Sequence, residues 1–269
     1  MEKILPPNYV QHLFVCWLLF PAQYALFHDP DHWRPAKRGW YDDIHWLKFN
    51  NGKYIGQVIN GKIEGKGIRY WNDGDRYEGE WKNGKMEGKG IYYFNKDPFK
   101  GDKYKGDFKN DKMEGKGIYY FNNGDRYEGD WKNDKREGKG IFYLNNGDRY
   151  EGDWKNDKME GKGIVYLNGH IKYGGEFKDD KMEGKGVFYY NNGDRYKGDW
   201  KNDKREGKGI YYYNDGDRYE GDWKNGKAEG KGIYYFNNGD RTMGDYLNDE
   251  PIGKHVTLTK NGEVKTNIY

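Results

Sequence analysis

The chain has 269 residues, of which only 34% are hydrophobic and 18% are aromatic, with 27 Tyr, 10 Trp and 41 Gly. This composition excludes a conventional compact globule, which needs more Leu, Ile and Val, and it excludes a disordered chain, which is poor in aromatic residues. The formal net charge of +3 excludes the broad basic excess of a nucleic-acid-binding protein, and the single cysteine, Cys16, excludes an intramolecular disulfide and a cysteine-based zinc site.

Residues 1–39 form an apolar head that differs from the rest of the chain. The apolar run Leu13–Phe20 is shorter than the about 20 residues that a membrane-spanning helix needs, and Pro21 interrupts it. Three interpretations stay open. The head is a short helix that caps the end of a β array, or a membrane contact or anchor in which Trp17 and Phe20 meet lipid, or a cleaved signal segment.

Two further features precede the repeats. His28–His32 brings two His and two Asp together around Pro30, but no downstream residues complete a coordination shell. We therefore expect a solvated turn there and no metal site. Residues 40–53 contain Trp46–Gly52, which looks like the second half of a repeat unit, and we expect a half-repeat cap there.

An internal repeat organises residues 54–241, and a repeat decides the architecture before any other feature does. The copies follow one another every 23 residues, apart from one step of 27 residues. The eight copies begin at Tyr54, Tyr77, Tyr104, Tyr127, Tyr150, Tyr173, Tyr196 and Tyr219.

The sequence of every copy predicts two strands, and each strand is followed by a turn. In Tyr127–Arg149, the residues Tyr127, Gly129 and Trp131 alternate with acidic residues, which is the period of a β-strand. A second strand is predicted at Gly138–Leu144, and the Asn-Gly that follows is a strong hairpin signal. In the first turn Gly and Asp exchange between copies, which indicates a residue with positive φ. The predicted fold class is all-β, an elongated solenoid-like ribbon of antiparallel β-hairpins.

Three glycines recur in every copy, although glycine weakens a strand. In the copy described above they are Gly129, Gly138 and Gly140. We expect all three to lie on the face that carries Tyr127 and Trp131, where a bare glycine lets a ring lie flat over the neighbouring backbone. Rings packed on glycines would then hold the hairpins together.

The spacing Tyr-x-Gly-x-Trp-x-Asn-Gly/Asp-x-x-x-Gly-x-Gly, in register over about residues 54–245, resembles the MORN (membrane occupation and recognition nexus) repeat. The resemblance implies an elongated antiparallel β ribbon with an aromatic-lined groove. It also implies a scaffold role in protein binding, dimerisation and membrane-associated organisation. Some members of the family join such an array to a catalytic domain, and we expect none in the head, array and tail seen here.

Departures from the repeat unit are where a unique contact is expected. Asn95–Lys103 carries four extra residues and places Pro98 and Phe99 on a protruding turn, which is either a tolerated insertion or a partner contact. Residues 242–269 contain a degenerate ninth copy and a last strand, so we expect a C-terminal cap there.

No unique catalytic constellation stands out, because the chain has no Ser, Cys16 lies in an apolar run, and the carboxylates recur once per unit beside Lys and Arg. We therefore expect no enzymatic activity and no cofactor. The Glu-Gly-Lys-Gly segments place a column of Lys beside a column of Glu, and Lys116, Lys139 and Lys162 of that column are lipid candidates. A basic residue near an anionic membrane is worth about 1 kcal/mol, and the adjacent acids should cancel most of that.

The leading hypothesis is a non-enzymatic scaffold or adaptor that holds a segment of a partner protein along an aromatic groove, since aromatic residues dominate binding hot spots. The alternatives are a peripheral protein of anionic membranes, which uses the head and the Lys column, and a regulatory subunit of a separate enzyme. Homodimers are a further expectation, nucleic acid is not an expected partner, and the expected location is the cytoplasm, at a membrane or the cytoskeleton. The predicted groove residues are Tyr127, Trp131, Tyr150, Trp154, Tyr196 and Trp200.

Overall fold

The computed structural model describes residues 44–269. That range contains twenty β-strands and no helix, and so it offers no helix that is long and apolar enough to cross a membrane. The predictions for the head, including the helical cap and the lipid contacts of Trp17 and Phe20, lie outside the described residues. The solvated turn predicted at His28–His32 lies outside them as well.

The described strands fall into two compact units. The first unit contains residues 44–145 and 155–157 of the described chain, and the second contains residues 146–154 and 158–269. The strands of the first unit are β1 (Ile44–Phe49), β2 (Gly52–Ile59), β3 (Lys62–Trp71), β4 (Arg76–Lys82), β5 (Lys85–Tyr93), β6 (Lys103–Lys109), β7 (Lys112–Tyr120), β8 (Arg126–Lys132) and β9 (Lys135–Tyr143).

The strands of the second unit follow in chain order, and the last residue of its first strand is counted in the first unit. They are β10 (Arg149–Lys155), β11 (Lys158–Leu167), β12 (His170–Lys178), β13 (Lys181–Tyr189), β14 (Arg195–Lys201), β15 (Lys204–Tyr212), β16 (Arg218–Lys224), β17 (Lys227–Tyr235), β18 (Arg241–Leu247), β19 (Glu250–Leu258) and β20 (Val264–Ile268).

Within each unit, every strand pairs antiparallel with the next strand along the chain. Each unit is therefore an open ribbon of β-hairpins, which confirms the predicted all-β fold class. The strands predicted in the copy Tyr127–Arg149 correspond to β8 and β9, with Gly129 opposite Gly140 and Tyr127 opposite Phe142.

The first turn of each copy is a two-residue hairpin loop. Lys132 pairs with Lys135 across it, and the two loop residues, Asn133 and Asp134, have φ angles of 50° and 67°. Two consecutive positive φ values define a type I′ turn, which matches the twist of the flanking strands. The exchange of Gly and Asp between copies indicated positive φ at one position, and the structure shows it at both.

A β-bulge after the first turn gives one of the three recurring glycines a different role from the predicted one. The register of β8 and β9 shifts between Gly129 and Trp131, and Gly138 lies there with a φ of 68°. A Cβ on Gly138 would meet the side chain of Asp130 rather than a ring. Glycine is required at position 138 because the backbone there is left-handed. That conformation belongs to the β-bulge, which inserts one extra residue and redirects the strand.

The two faces of each ribbon carry different side chains, since successive strand residues point to opposite sides. We call them the ring face and the lysine face. In β8 and β9 the ring face carries Tyr127, Gly129, Trp131, Gly140 and Phe142. The lysine face carries Arg126, Glu128, Asp130, Lys139, Ile141 and Tyr143.

The last hairpin departs from the repeated pattern on the ring face. Thr242 stands where the other copies have their first Tyr, and His255 stands where they have their last conserved glycine. His255 is fully buried, and its ring lies over Gly244. The final strand, β20, pairs with β19, and all five of its residues are exposed.

Candidate functional site

The first-strand tyrosine of each copy holds its hairpin together. Tyr127 is fully buried, and a Cβ placed on either Gly129 or Gly140 would collide with the Tyr127 ring. Its hydroxyl donates a hydrogen bond to the carbonyl oxygen of Asp130 at 3.1 Å, and burial raises the pKa of that hydroxyl far above its ordinary value. The predicted packing of rings on glycines is therefore present for two of the three recurring glycines.

The six rings predicted to line a partner groove are all buried on the ring face. Their exposed fractions are 0% for Tyr127, 3% for Trp131, 2% for Tyr150, 6% for Trp154, 0% for Tyr196 and 6% for Trp200. The structure brings each Tyr together with the Trp of its own strand, edge to face at 5.2 or 5.3 Å between centroids. These rings pack the ribbon, so the side chains that a partner would meet first are others.

A second series of rings, which the sequence reasoning missed, lies further out on the ring face. We call it the outer ring row, and in the second unit it consists of Phe188, Tyr190, Tyr211, Tyr213, Tyr234 and Phe236. Successive centroids are 4.8, 5.4, 4.7, 5.7 and 4.8 Å apart. Tyr213 and Phe236 are 36% and 38% exposed. The signal in the sequence was the pair of aromatic residues, two positions apart, at the ends of β13, β15 and β17.

Aspartates of the second turn hold two rings of this row in place. Asp194 Oδ2 accepts a hydrogen bond from the Tyr211 hydroxyl at 2.7 Å, and Asp217 Oδ2 accepts one from Tyr234 at 2.7 Å. Burial raises the pKa of the Tyr211 hydroxyl, and the bond to Asp194 raises it further. The other oxygen of Asp194 accepts the backbone N–H of Asn214 at 2.9 Å. The row is thus pre-organised by repeated hydrogen bonds, which lowers the entropy that a partner must remove on binding.

The lysine column of the opposite face is paired with aspartates of the following strand rather than with the adjacent glutamates. Lys116 Nζ lies 2.5 Å from Asp130 Oδ1, and Asp130 Oδ2 accepts the backbone N–H of Lys139 at 3.0 Å. The backbone N–H of Lys162 is likewise bound by Asp153 Oδ2 at 2.9 Å. The same ion pair recurs at Lys89–Asp107, Lys185–Asp199 and Lys208–Asp222. Each aspartate thus bridges two strands and neutralises one lysine of the column.

A groove of about 1150 Å³ lies on the lysine face of the second unit. The glycine pairs of β13 to β18 contribute backbone to it, and its apolar side chains are Val187, Ile210, Ile233 and Met243. Its charged side chains are Lys185, Lys197, Lys208, Lys231, Lys254, Glu220 and Asp245.

The inserted turn at Asn95–Lys103 packs onto the ring face. The Phe99 ring lies 6.0 Å from the Phe94 ring, and its backbone N–H donates to the carbonyl of Lys96 at 3.0 Å. Phe99 is half-buried and Pro98 is exposed. Of the two residues predicted as a loop contact, Pro98 is therefore the more exposed.

Residues 44–269 contain no group of three or more His, Cys, Asp or Glu side chains arranged to hold a metal ion.

The comparisons with known proteins agree with this repeat geometry. A family model described as the MORN repeat matches the chain eight times. The matches cover residues 54–76, 77–97, 104–126, 127–149, 150–168, 173–195, 196–218 and 219–241. They begin at the same eight tyrosines at which the copies were placed from the sequence. No curated protein matches the chain significantly.

Two of the similar solved structures are domains of CPAP proteins. The first is the TCP domain of SAS-4 (dCPAP) of Drosophila melanogaster, in complex with a proline-rich motif of Ana2 (dSTIL). It is 13% identical to this chain, with a TM-score of 0.38, and the match covers 58% of this chain and 84% of that chain. The second is the TCP10 domain of Danio rerio CPAP, with 10% identity, a TM-score of 0.31, and coverage of 83% of this chain and 94% of that chain.

Proposed function

Since this chain belongs to the MORN-repeat family, we propose that it is a non-enzymatic scaffold that holds a segment of a partner protein against its ring face. The observation that carries the proposal is the outer ring row of the second unit. Its six rings lie against one another in succession, and two of them, Tyr213 and Phe236, are 36% and 38% exposed.

The chemistry of this row suits protein recognition. Tyrosine supplies a large amphipathic surface at low conformational cost, and aromatic side chains are enriched among the residues that dominate binding energy. The hydroxyls of Tyr211 and Tyr234 are already bound to aspartates, so these two tyrosines offer a partner only the faces and edges of their rings. A partner segment with apolar or aromatic side chains would bury Tyr213 and Phe236 further.

The proposal assigns no catalytic step to the chain. The buried carboxylates of the ring face, such as Asp102 and Asp194, accept hydrogen bonds from the neighbouring repeat. Each recurs at the same position of other copies, whereas catalysis needs one distinct arrangement of acid, base and nucleophile. The carboxylates are therefore accounted for as structural groups.

The ion pairs of the lysine face favour a protein partner over an anionic membrane. The charge of Lys116, Lys185 and Lys208 is compensated by an aspartate, and a compensated lysine gains little from a negative surface. Flotation with phosphatidylserine vesicles remains the direct measurement of membrane binding.

The test is a quantitative affinity purification from the native cell with three forms of the full chain. The variant Tyr213→Ala with Phe236→Ala removes the exposed rings, and Tyr189→Ala is the matched control, because Tyr189 is 40% exposed and lies on the lysine face. We expect the wild type and the control to recover the same specific proteins and the ring variant to lose them, at unchanged thermal stability. Equal recovery by all three forms would contradict the proposal.

A further inference from the structure

The groove on the lysine face of the second unit has a floor that follows one row of side chains across six strands. Successive partners in the strand pairing are Val187, Lys197, Ile210, Glu220, Ile233 and Met243. We call these six residues the groove row, and all six line the groove. Apolar side chains alternate with one lysine and one glutamate, and the row ends in Met243, which is 37% exposed.

The charges of the groove row are not compensated in the way that the lysine column is. Three of the groove lysines face aspartates: Lys185, Lys208 and Lys231 lie against Asp199, Asp222 and Asp245. Within residues 44–269, neither Lys197 nor Glu220 is joined to an oppositely charged side chain. They stand two strands apart with Ile210 between them.

The row is also where the repeats of this unit differ from one another. Across the other copies, the position occupied by Lys197 holds Ile55, Glu78, Lys105, Glu128, Glu151, Gly174, Glu220 and Met243. The neighbouring position occupied by Lys185, Lys208 and Lys231 is a lysine in every one of these copies. The order of lysine, isoleucine and glutamate recurs in the first unit at Lys105, Ile118 and Glu128. A charge order of this kind can distinguish partner segments, whereas the invariant positions cannot.

The spacing of the row sets the pattern of a complementary segment. Neighbouring strands lie about 4.8 Å apart, so Val187, Ile210 and Ile233 follow one another at about 10 Å. A segment in the polyproline II conformation returns to the same side every three residues, or about 9.3 Å. An extended segment that lies across the strands can therefore place an apolar residue on each of these three side chains.

We propose that the groove row binds an extended segment of a protein partner in which apolar side chains about 10 Å apart flank an acidic residue that faces Lys197 and a basic residue that faces Glu220. The order of the two charges fixes the direction of the segment, because the reversed segment would place like charges together. This surface lies on the opposite side of the ribbon from the outer ring row. The proposal for the groove row can therefore be tested independently of the scaffold proposal made for the ring face.

The experiment is a display selection with a library of random 14-residue peptides on the immobilised full chain. The test variant carries Lys197→Glu with Glu220→Lys, together with Lys105→Glu and Glu128→Lys at the equivalent row of the first unit. It reverses both occurrences of the charge order and leaves the net charge unchanged. The control carries Lys224→Glu with Glu229→Lys, which reverses an ion pair of 2.8 Å in the same unit and outside the groove. Circular dichroism and thermal melting confirm that all three forms have the same fold.

We expect peptides selected on the wild type to carry an acidic and a basic residue with apolar residues about three positions apart. They should bind the control as tightly as the wild type and the test variant at least about tenfold more weakly, which corresponds to about 1.4 kcal/mol. Selection on the test variant should enrich the reversed charge order. Equal binding to all three forms, or no enrichment over an unrelated protein, would overturn the proposal.

Two other occupants would also overturn it. If lipid occupies the groove, the wild type should float with phosphatidylserine vesicles, and the test variant should not. If a second copy of the chain occupies the groove, light scattering should show a concentration-dependent dimer of the wild type that the test variant does not form.

Discussion

His255 Nε2 lies 2.9 Å from the carbonyl oxygen of Asp245, and this contact takes the place of a tyrosine hydroxyl. In the preceding copy the Tyr219 hydroxyl donates to the carbonyl of Asp222, which is the corresponding residue. The His255 ring covers Gly244 in the way that the Tyr219 ring covers Gly221. The last hairpin therefore keeps the ring, the glycine and the hydrogen bond, although the ring comes from the other strand.

The first prediction follows from this exchange. His255→Gly alone should leave a cavity over Gly244 and lower the free energy of unfolding by about 2–4 kcal/mol. Thr242→Tyr alone should overpack against the His255 ring and cost about 1–3 kcal/mol. The double variant restores the repeated arrangement and should be close to the wild type. A double-mutant cycle from urea unfolding measures this coupling, and additive losses would show that the two rings do not share one space.

The second prediction compares two adjacent glycines. A Cβ on Gly175 would collide with the Tyr173 ring and the backbone of Gly186, whereas a Cβ on Gly174 would meet nothing within 4 Å. Gly175→Ala should destabilise the protein by about 1–3 kcal/mol or more, because the ring cannot move away from its buried position. Gly174→Ala should be neutral or stabilise by up to about 1 kcal/mol, since alanine reduces the freedom of the unfolded chain. Urea unfolding of the two variants gives the difference, and equal effects would contradict the packing described.

The third prediction concerns the buried pair of Arg136 and Asp157. Arg136 is 6% exposed, and its Nε lies 3.4 Å from Asp157 Oδ1, which also accepts the Arg136 backbone N–H at 2.9 Å. Asp157→Ala should cost about 3–5 kcal/mol, since it leaves a buried guanidinium without its carboxylate.

Arg136→Met is the matched variant for this pair, because Met113 occupies the same position in the preceding copy and donates its backbone N–H to Asp134. Replacing a buried ion pair by a well-packed hydrophobic side chain is often neutral or stabilising. We therefore expect Arg136→Met to unfold at nearly the same temperature as the wild type. A loss as large as that of Asp157→Ala would show that the ion pair itself, rather than the unpaired charge, determines stability.

The fourth prediction is a difference in pH dependence between two aspartates. Burial raises the pKa of Asp134 above its usual value, so the native protein binds that proton more tightly than the unfolded chain. The ionised Asp134 therefore destabilises the native protein at neutral pH, and this cost shrinks as the pH falls into the range just above the usual Asp pKa. Asp134→Asn, which keeps the acceptor oxygen and tolerates positive φ, should be at least as stable as the wild type at pH 7.5. Its advantage should shrink as the pH falls.

Asp222 should behave in the opposite way. The hydrogen bond from Lys208 lowers the pKa of Asp222 despite a partial opposing effect of burial. Its contribution is present above the usual Asp pKa and is lost as the pH falls through the lowered pKa. Asp222→Asn should thus be less stable than the wild type at pH 7.5, with a difference that disappears in acid. Urea midpoints between pH 2.5 and 7.5 test both signs, and parallel curves for the two variants would contradict them.

Much of the hairpin geometry could be predicted from the copies themselves. Tyr127, Gly129 and Trp131 alternate on one strand, and Asn133 begins a turn that needs positive φ; both features depend on residues close together in the chain. The contact between Tyr127 and the glycines was also predictable, since only glycine leaves room for a flat ring. The role of Gly138 could not be predicted, because a β-bulge depends on the register of two strands rather than on either strand alone.

The candidate sites were harder to predict for the same reason. Lys116 is two positions from Glu114 in the chain, which suggested neutralisation by the nearby glutamate, but its partner is Asp130 on the following strand. Glu114 instead accepts the backbone N–H of Asn133 at 3.0 Å. Antiparallel pairing brings together residues that are 14 or 19 positions apart, and such partners can be identified only when the register is known.

The amino-acid sequence by itself determined the repeat, the two strands and turns of each unit, and the family, because these depend on the period of side chains and on residues that tolerate positive φ. Only the tertiary structure decided which rings are buried and which are exposed. Tyr127 lies within a strand and Tyr213 directly follows one. Tyr127 is fully buried, whereas Tyr213 is 36% exposed. The physical reason is that exposure depends on what the neighbouring strand places over a ring. It places glycine backbone under the Tyr127 ring, whereas Tyr213 is covered only in part by the neighbouring rings of Tyr211 and Tyr234.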